Sequence, residues 1–276
     1  MHASLTAILR YVPLRAMYLF ADLFVVPFYM LFSKSYLSTY HYFRRRLGRN
    51  PIYSFVSTYR NFCQFSKNIL DKFKMFSGGS FDFDIDHMEL YERLSKQDGG
   101  FLIFSAHIGN YELAGYTLRA DTKPYNALVF GGEAEMIMKN RTKMFADKNI
   151  RMIPVSDDMS HLITLSNALA DGESVSIPAD RVVGDQKTMT CNFLGAEAKF
   201  PAGPFMLAAK RRLPVLSIQV MKESAHKYKI YIKELEQIGE TLSERASCLL
   251  SSYTHHLETV LNRYPLQWFN FYEFWK

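Results

Sequence analysis

The chain has 276 residues, of which 48% are hydrophobic and 15% aromatic, and its formal net charge is +6. This length is enough for one substantial hydrophobic core, while a mean hydropathy of −0.11 excludes a polytopic membrane protein. The positive charge favours an anionic partner such as membrane phosphate, a phosphorylated substrate or nucleic acid. Nucleic acid is the weakest of these because the basic residues are scattered and no recognition motif is present. The three cysteines lie far apart in the sequence, so neither a disulfide framework nor a metal site is expected.

An apolar run near the N-terminus predicts a membrane element. Residues 16–32 contain one charged side chain, Asp22, and are slightly shorter than the roughly 20 residues of a spanning helix. Arginines 44, 45, 46 and 49 follow the run, so the rest of the chain is expected to face the cytoplasm. A spanning helix and a helix lying in the interface both fit, and the alternative is a buried helix of a soluble core. Residues 1–50 are accordingly predicted to be a membrane anchor with a basic juxtamembrane segment, and residues 51–276 a single domain.

The next segment, residues 52–76, has the pattern of an amphipathic helix. Phe55, Tyr59, Phe62, Ile69 and Phe73 recur at spacings of three, four and seven. Packing of this aromatic stripe against the core is the expected arrangement. Contact with lipid is the alternative, because the helix is basic and follows a membrane element.

The remainder of the chain alternates predicted strands and helices. Strands are expected over residues 81–86, 101–105, 127–130, 152–155, 174–178, 214–221 and 228–233, and helices over 87–96, 111–119, 133–149, 160–170, 204–212 and 243–263. This order predicts an α/β fold in which a mostly parallel sheet is flanked by helices. Ligands of such sheets bind beyond the carboxyl ends of the strands.

The strongest candidate for chemistry is the pair His107 and Glu112. His107 comes directly after the buried strand 101–105, and Gly109 and Asn110 break the chain before the next predicted helix. With the histidine on the turn and the glutamate in the first helical turn, the carboxylate can orient one ring nitrogen while the other faces a hydroxyl. This is the arrangement of a general base. The alternative is a buried histidine without a catalytic role, whose hydrogen-bonding groups are satisfied by a nearby carboxylate.

Other candidate residues follow later strands. Asp180 and Arg181 come after strand 174–178 and could bind a phosphate or a sugar hydroxyl. The alternative is that the two residues form a local ion pair that stiffens the loop. Arg141, on the predicted helix 133–149, is a candidate phosphate contact or part of a solvated basic face. Gly203, before a helix of small residues, could admit an anion to backbone N–H groups or belong to an ordinary turn. The N–H groups near Gly109 and Asn110 are candidates for stabilising an oxyanion.

In order and spacing these motifs resemble the bacterial lipid A biosynthesis acyltransferases, the lauroyl/myristoyl transferase group within the lysophospholipid acyltransferase-like superfamily. His107 and Glu112 match the family's H-x4-D/E motif, and Asp180 matches its aspartate after an apolar strand. The remaining matches are Arg141, Phe193-Leu-Gly195 as F-x-G, Gly203, and Tyr264-Pro-Leu-Gln-Trp268 as the terminal Y-P-x-Q-W. The resemblance covers most of the chain.

The resemblance implies an enzyme of the inner membrane that moves a fatty acyl chain from acyl carrier protein or coenzyme A to a lipid hydroxyl. It implies a glycerolipid acyltransferase-like fold, His107 and Glu112 as catalytic residues, and Asn110, Arg141, Asp180, Arg181 and Gly203 as substrate-binding residues, with no cofactor, no metal and no nucleic acid. Two departures leave the acceptor open: Asp180 is followed by arginine, and residues 200–203 lack the glutamate of the glycerolipid F-P-E-G block. A lipid A precursor, an aminolipid, a lysophospholipid and a polyene-type lipid all fit. The alternative from another class is a non-catalytic lipid-binding or assembly protein on the same fold.

Overall fold

A computed structural model describes residues 12–113, 118, 123–129, 149–156, 158 and 160–275. The predicted helix 133–149 and Arg141 therefore lie outside the described residues, except for Asn149. Of the predicted helix 111–119, the described part is a single 3-10 turn, Tyr111–Leu113, together with residue 118.

Three helices precede the first strand. Helix α1 (Leu14–Phe32) contains a π-helical turn at Ala21–Val25, and helix α2 (Ser35–His41) continues into a second π-helical turn at Tyr42–Arg46. Helix α3 (Pro51–Phe76) is the longest, and it begins with proline in its first turn and with Asn50 capping the backbone N–H of Tyr53. Within the described residues, α1 is the one helix long and apolar enough to cross a membrane.

The described strands form a seven-stranded sheet and a separate hairpin. The seven strands of the sheet are β1 (Asp82–Asp86), β2 (Phe101–Ser105), β3 (Tyr125–Val129), β4 (Ile150–Pro154), β5 (Ser174–Pro178), β8 (Val215–Lys222) and β9 (Lys227–Glu234). Their spatial order is β1-β9-β8-β2-β5-β3-β4. Strands β8, β2, β5, β3 and β4 run parallel to one another. Strand β9 is antiparallel to β8, and β1 pairs with β9 in parallel. The prediction of a mostly parallel sheet is confirmed.

Helices cover both faces of the sheet, which is why β2 and β8 are buried along their whole length. Among the described residues, the helices that follow α3 are α4 (Met88–Lys96), α5 (Ser160–Ala170), α6 (Ala202–Arg211) and α7 (Leu242–Arg263). Leu102 and Phe104 point into the core shared with α5, α6 and α7, while Phe101 and Ile103 point into the core shared with α1 and α4. The region of Phe193-Leu-Gly195 and Phe200 forms the hairpin of β6 (Thr188–Phe193) and β7 (Ala196–Pro201).

Helix α3 differs from the expectation of a core-packed aromatic stripe. Phe62 is buried, but Phe55 is 54% exposed and Ile69 is 38% exposed. The buried side of the helix is instead mainly polar and consists of Ser54, Thr58, Asn61, Phe62, Cys63, Asn68 and Asp71. Asn61 and Asn68 on this side donate to backbone carbonyls of other segments, and Asp71 pairs with Lys222, contacts that apolar side chains could not make.

Candidate active site

The register of two neighbouring strands brings His107 and Asp180 together. Strands β2 and β5 pair in parallel, with Ser105 opposite Pro178, and the ladder continues through the N–H of Ala179 to the carbonyl of Ser105 at 2.9 Å. His107 and Asp180 each lie two residues beyond these strand ends. They therefore meet at the carboxyl edge of the sheet, where ligands of parallel sheets bind.

Asp180 holds the histidine through two hydrogen bonds. Its Oδ1 lies 2.8 Å from His107 Nδ1, and its Oδ2 accepts the backbone N–H of His107 at 2.8 Å. The carboxylate is 5% exposed and the imidazole 24% exposed. Burial alone would raise the pKa of Asp180, but the charge and hydrogen bonds of His107, together with Arg181, hold that pKa below its ordinary value. A carboxylate that stays ionised keeps the proton on Nδ1 and leaves Nε2 as the basic nitrogen.

Glu112 does not orient the ring, contrary to the sequence-based expectation. Its carboxylate forms an ion pair with Lys72 of α3, while the hydrogen bond to the His107 ring comes from Asp180. The physical reason is the turn after His107. It leads into a 3-10 turn, whereas the strand register already places a carboxylate directly beside Nδ1.

The turn at Gly109 and Asn110 is closed by backbone hydrogen bonds. The N–H of Gly109 donates to the carbonyl of Gln267 at 2.7 Å, and the N–H of Asn110 donates to the carbonyl of Val220 at 2.8 Å. Both donors are thus used within the protein, so the expectation that they stabilise an oxyanion is not supported. Gly109 has φ +61°, and a Cβ atom there would lie 2.0 Å from the Val220 carbonyl oxygen, so only glycine fits.

The C-terminal segment completes this turn, a role that sequence reasoning missed. The N–H of Phe269 donates to the carbonyl of His107 at 2.9 Å, and Ile108 pairs with Trp268 in an antiparallel bridge. Tyr253 of α7 donates its hydroxyl to the carbonyl of Ser105 at 2.8 Å. The unusual density of aromatic residues at the C-terminus was a signal that this segment is buried, but not of what it contacts.

Arg181, Asn110 and Gly203 are the other predicted site residues that the structure describes, and their surroundings differ. Arg181 Nη2 is 3.5 Å from the carbonyl of Phe269, its guanidinium lies 5.4 Å from the centre of the Tyr272 ring, and its buried Nε has no partner among the described residues. The side chain of Asn110 donates to the carbonyl of Asn68 at 3.3 Å, so it faces the protein interior. Gly203 is an exposed residue in the first turn of α6, with open space around it.

A small cleft of about 50 Å³ opens at the carboxyl ends of β2 and β5, and neither His107 nor Asp180 is among its lining residues. It starts at Ser105 and Pro178, the last residues of β2 and β5, and reaches Glu112. Most of its other lining residues are apolar and come from strands β3 and β4, namely Tyr125, Ala127, Leu128, Val129, Ile150 and Met152, and the remaining two are Tyr111 and Ser176. Among the residues that the structure describes, no cluster of three His, Cys, Asp or Glu side chains could hold a metal ion.

An imidazole oriented by a buried carboxylate at the carboxyl edge of a parallel sheet has the arrangement that general base catalysis requires. The family model "Bacterial lipid A biosynthesis acyltransferase" matches residues 77–276, which is more than two thirds of the chain and includes this pair. The chain belongs to the bacterial lipid A biosynthesis acyltransferase family.

Among solved structures, the chain is similar to the 1-acyl-sn-glycerophosphate (LPA) acyltransferase PlsC from Thermotoga maritima. The match covers 94% of this chain and 98% of that one, with 12% identity and a TM-score of 0.41. A similarity this distant carries no argument about the chemistry. No curated protein sequence matches this chain.

Proposed function

We propose that the protein is a membrane-associated acyltransferase that moves a fatty acyl chain from a thioester to a hydroxyl of a lipid. Family membership supports acyl transfer to a lipid in general. The observation that carries the mechanism is the 2.8 Å contact between His107 Nδ1 and Asp180, because it leaves Nε2 available as the base.

In the proposed reaction, Nε2 of His107 removes the proton from the acceptor hydroxyl as its oxygen attacks the thioester carbonyl carbon. The tetrahedral intermediate then breaks its C–S bond. The thiolate takes the proton from the imidazolium and leaves as a neutral thiol, and the lipid ester remains. Asp180 keeps the tautomer and stabilises the imidazolium between the two proton transfers.

Arg181 is proposed to contact a phosphate or the developing oxyanion. Its Nε–H is buried beside Asp180 without a partner among the described residues, so an anionic oxygen would satisfy it. Glu112, paired with Lys72 at the edge of the cleft, is proposed to set the position of that ammonium group for a donor or acceptor phosphate. Gly203 and Arg141 stay predictions as substrate-binding residues.

The acceptor is proposed to be a lipid A precursor or a related lipid at the cytoplasmic face of the inner membrane, and the donor acyl carrier protein or coenzyme A carrying the chain. No cofactor is proposed. The acyl chain would follow the apolar lining of β3 and β4, which has to widen to admit it. Residues 1–50 would anchor the domain formed by residues 51–276.

The exposed faces of the first helices support this anchoring. Large apolar side chains of α1 and of the start of α3 face solvent, among them Phe28 at 67%, Leu31 at 79% and Ile52 at 77% exposed. The rings of Tyr29 and Phe62 lie 5.7 Å apart, so the C-terminal part of α1 packs against the N-terminal half of α3. An apolar surface of this kind marks a membrane or protein contact.

We propose that α1 and α3 lie in the interface as a helical hairpin, with α1 not crossing the bilayer alone. Polar contacts bind α1 to α3: Lys67 pairs with the Asp22 carboxylate at 2.8 Å, and the Tyr59 hydroxyl donates to the Asp22 carbonyl at 2.7 Å. A lone spanning helix would lose both contacts. The exposed Arg44 and Arg45 would meet anionic headgroups.

The test is an acyl-transfer assay on the full chain in phospholipid vesicles. Dodecanoyl-acyl carrier protein and dodecanoyl-coenzyme A are offered in turn, with a lipid A precursor, lysophosphatidic acid or an aminolipid as acceptor, and products are identified by mass spectrometry. We expect transfer by the wild type, and a loss of about 100-fold or more in His107→Ala. His255→Ala, an exposed histidine on α7, is the matched control.

The alternative, a non-catalytic lipid-binding or assembly protein, makes the opposite prediction. In that case His107→Ala would bind vesicles and support lipid assembly like the wild type, and no donor would lose its acyl chain. Near-normal transfer by His107→Ala would instead show that an enzyme is present but that the proposed base is wrong.

A further inference from the structure

The buried face of α3 carries amide side chains that meet backbone groups of two other segments. Asn61 donates to the carbonyls of Leu266 at 3.0 Å and Trp268 at 2.8 Å. Asn68, two helical turns further on, donates to the carbonyl of Gly109 at 2.8 Å. Both asparagines are buried, so a lost hydrogen bond would leave a carbonyl unsatisfied.

These two segments flank the proposed base. Gly109 follows His107 by two residues, and the segment 266–269 pairs with the backbone of residues 107–109. Gln267 extends the same set of contacts, because its side chain accepts the backbone N–H of Lys222 at 2.9 Å and donates to the carbonyl of Lys222 at 2.7 Å. The turn of His107 is therefore held from α3, from the end of β8 and from the C-terminal segment.

One helical turn beyond Asn68, a buried ion pair joins α3 to the end of β8. Lys222 Nζ lies 2.5 Å from Asp71 Oδ2, the Tyr228 hydroxyl donates to the same oxygen, and the Tyr18 hydroxyl donates to Oδ1. Lys222 Nζ also lies 4.7 Å from the centre of the Tyr228 ring. Asp71 is completely buried and Lys222 nearly so, which makes the arrangement stable only when every partner is present.

Asn110 connects this pair to the turn, since its amide lies 3.4 Å from the Tyr228 hydroxyl. Rotation or sliding of α3 would break the Asp71 contacts and the Asn61 and Asn68 contacts together. The ion pair thus selects one helix position, and in that position both amides reach their carbonyls.

We propose that Asn61 and Asn68 are positioning residues for His107, and that the buried Asp71–Lys222 pair fixes the helix position from which they act. The inference rests on the proposed function only for the role of His107 as the base. Misplacement of a base by about 1 Å can cost roughly 100-fold in rate. Asn61 and Asn68 are not among the residues proposed to hold the substrate, so substrate binding is expected to change less than the rate.

The test uses Asn68→Asp in the full chain, which replaces the amide donor by an oxygen of nearly the same shape. The matched control is Thr58→Val, because Thr58 is equally buried on α3 but bonds only to the carbonyl of Ser54 within the helix. Two readouts are measured: kcat and KM for acyl transfer, and the rate at which diethyl pyrocarbonate modifies His107 as a function of pH, followed by peptide mass spectrometry. Thermal midpoints of both variants report folding.

We expect Asn68→Asp to lower kcat by about 10- to 100-fold with KM within about twofold, and to change the modification rate of His107 by about threefold or more. Thr58→Val should match the wild type in both readouts. If Asn68→Asp yields no folded protein, Asn68→Ser, which is neutral and too short to reach Gly109, is measured in the same way.

Unchanged kcat and unchanged modification of His107 in a folded Asn68 variant would overturn the inference, as would equal losses in Thr58→Val. The modification experiment needs no substrate. If the wild type transfers no acyl group but the Asn68 variant alters the reactivity of His107, the proposed function fails and the positioning role stands.

Discussion

His107 and Asp180 occupy equivalent places on two neighbouring parallel strands, each two residues past the strand end, and Nδ1 of the imidazole lies 2.8 Å from Oδ1 of the carboxylate. The second carboxylate oxygen holds the backbone N–H of the same histidine. Asp180 therefore sets both the ring tautomer and the position of the backbone that carries the ring. This double contact makes Asp180, which the resemblance assigns to substrate binding, a part of the proposed catalytic machinery.

Asp180→Asn is expected to lower kcat by about 100-fold or more, because an amide can present its N–H to Nδ1 and stabilise the wrong tautomer. Glu112→Gln, which changes a carboxylate of the same motif without touching the ring, is expected to cost at most about 10-fold. Both variants are measured for acyl transfer in vesicles. A larger loss in Glu112→Gln than in Asp180→Asn would contradict the assignment of the orienting carboxylate.

Gly109→Ala is expected to destabilise the fold by about 2 kcal/mol or more and to abolish transfer. Its Cβ would lie 2.0 Å from the Val220 carbonyl oxygen in a left-handed backbone conformation. Gly184→Ala is the matched control, because Gly184 has the same φ of +61° but open space around it, so only the cost of a left-handed alanine applies. Urea unfolding measures both, and equal costs would show that the turn can shift away from Val220.

The buried His256 is expected to make stability depend on pH. Its Nδ1 lies 2.8 Å from the Ser217 hydroxyl oxygen, and burial, with Lys233 and His255 nearby, lowers its pKa to about 4. The unfolded chain takes up the proton near pH 6.5 and the folded protein does not. The contribution of His256 to the free energy of unfolding is therefore fully present above about pH 6.5. As the pH falls from about 6.5 to about 4, the free energy of unfolding decreases by up to about 3 kcal/mol.

His256→Gln, which is neutral at every pH, should remove this dependence. Urea unfolding at a series of pH values measures it, and an unchanged slope between pH 6.5 and 4 would refute the assignment. The lowered pKa of Asp180 acts in a different window, because its contribution is present above the unfolded pKa of about 3.9 and is lost only as the pH falls further.

Charged substitutions on the exposed apolar face of α1 are expected to weaken membrane binding. The double variant Phe28→Glu/Leu31→Glu should weaken binding to vesicles of phosphatidylethanolamine and phosphatidylglycerol by roughly 100-fold or more, since each buried side chain contributes about 1.5–3 kcal/mol. Ile238→Glu is the control, being 73% exposed in the connection between β9 and α7. Flotation measures the bound fraction, and equal binding of the double variant and the wild type would exclude this face as the membrane contact.

Much of the fold could be predicted because local patterns reflect burial. The run Phe101–Ser105 is apolar since both faces of the central strand are covered, and the 3.6-residue pattern of α7 is strong enough to give its bounds within one residue. The strands β6 and β7 were not predicted, because the outer face of their hairpin is exposed and polar, and its residues Phe193-Leu-Gly195 entered only as a motif of the resemblance.

Helix α3 shows where a pattern can mislead. Its aromatic stripe has the spacing of a core-packed face, yet the polar face is the one that is buried. Periodicity tells which residues share a face but not which face meets the protein. That depends on what the helix covers, and here it covers backbone carbonyls of the His107 turn and the C-terminal segment.

The sequence by itself determined that a histidine and an Asp-Arg pair each follow a buried strand, and that a glycine breaks the chain after the histidine. Only the tertiary structure decided which carboxylate meets the ring. Glu112 is five residues from His107 along the chain. Asp180 is 73 residues from His107 but contacts its ring, because β5 lies next to β2 in the sheet. Strand order arises from packing of the whole core, and no local run of residues records it.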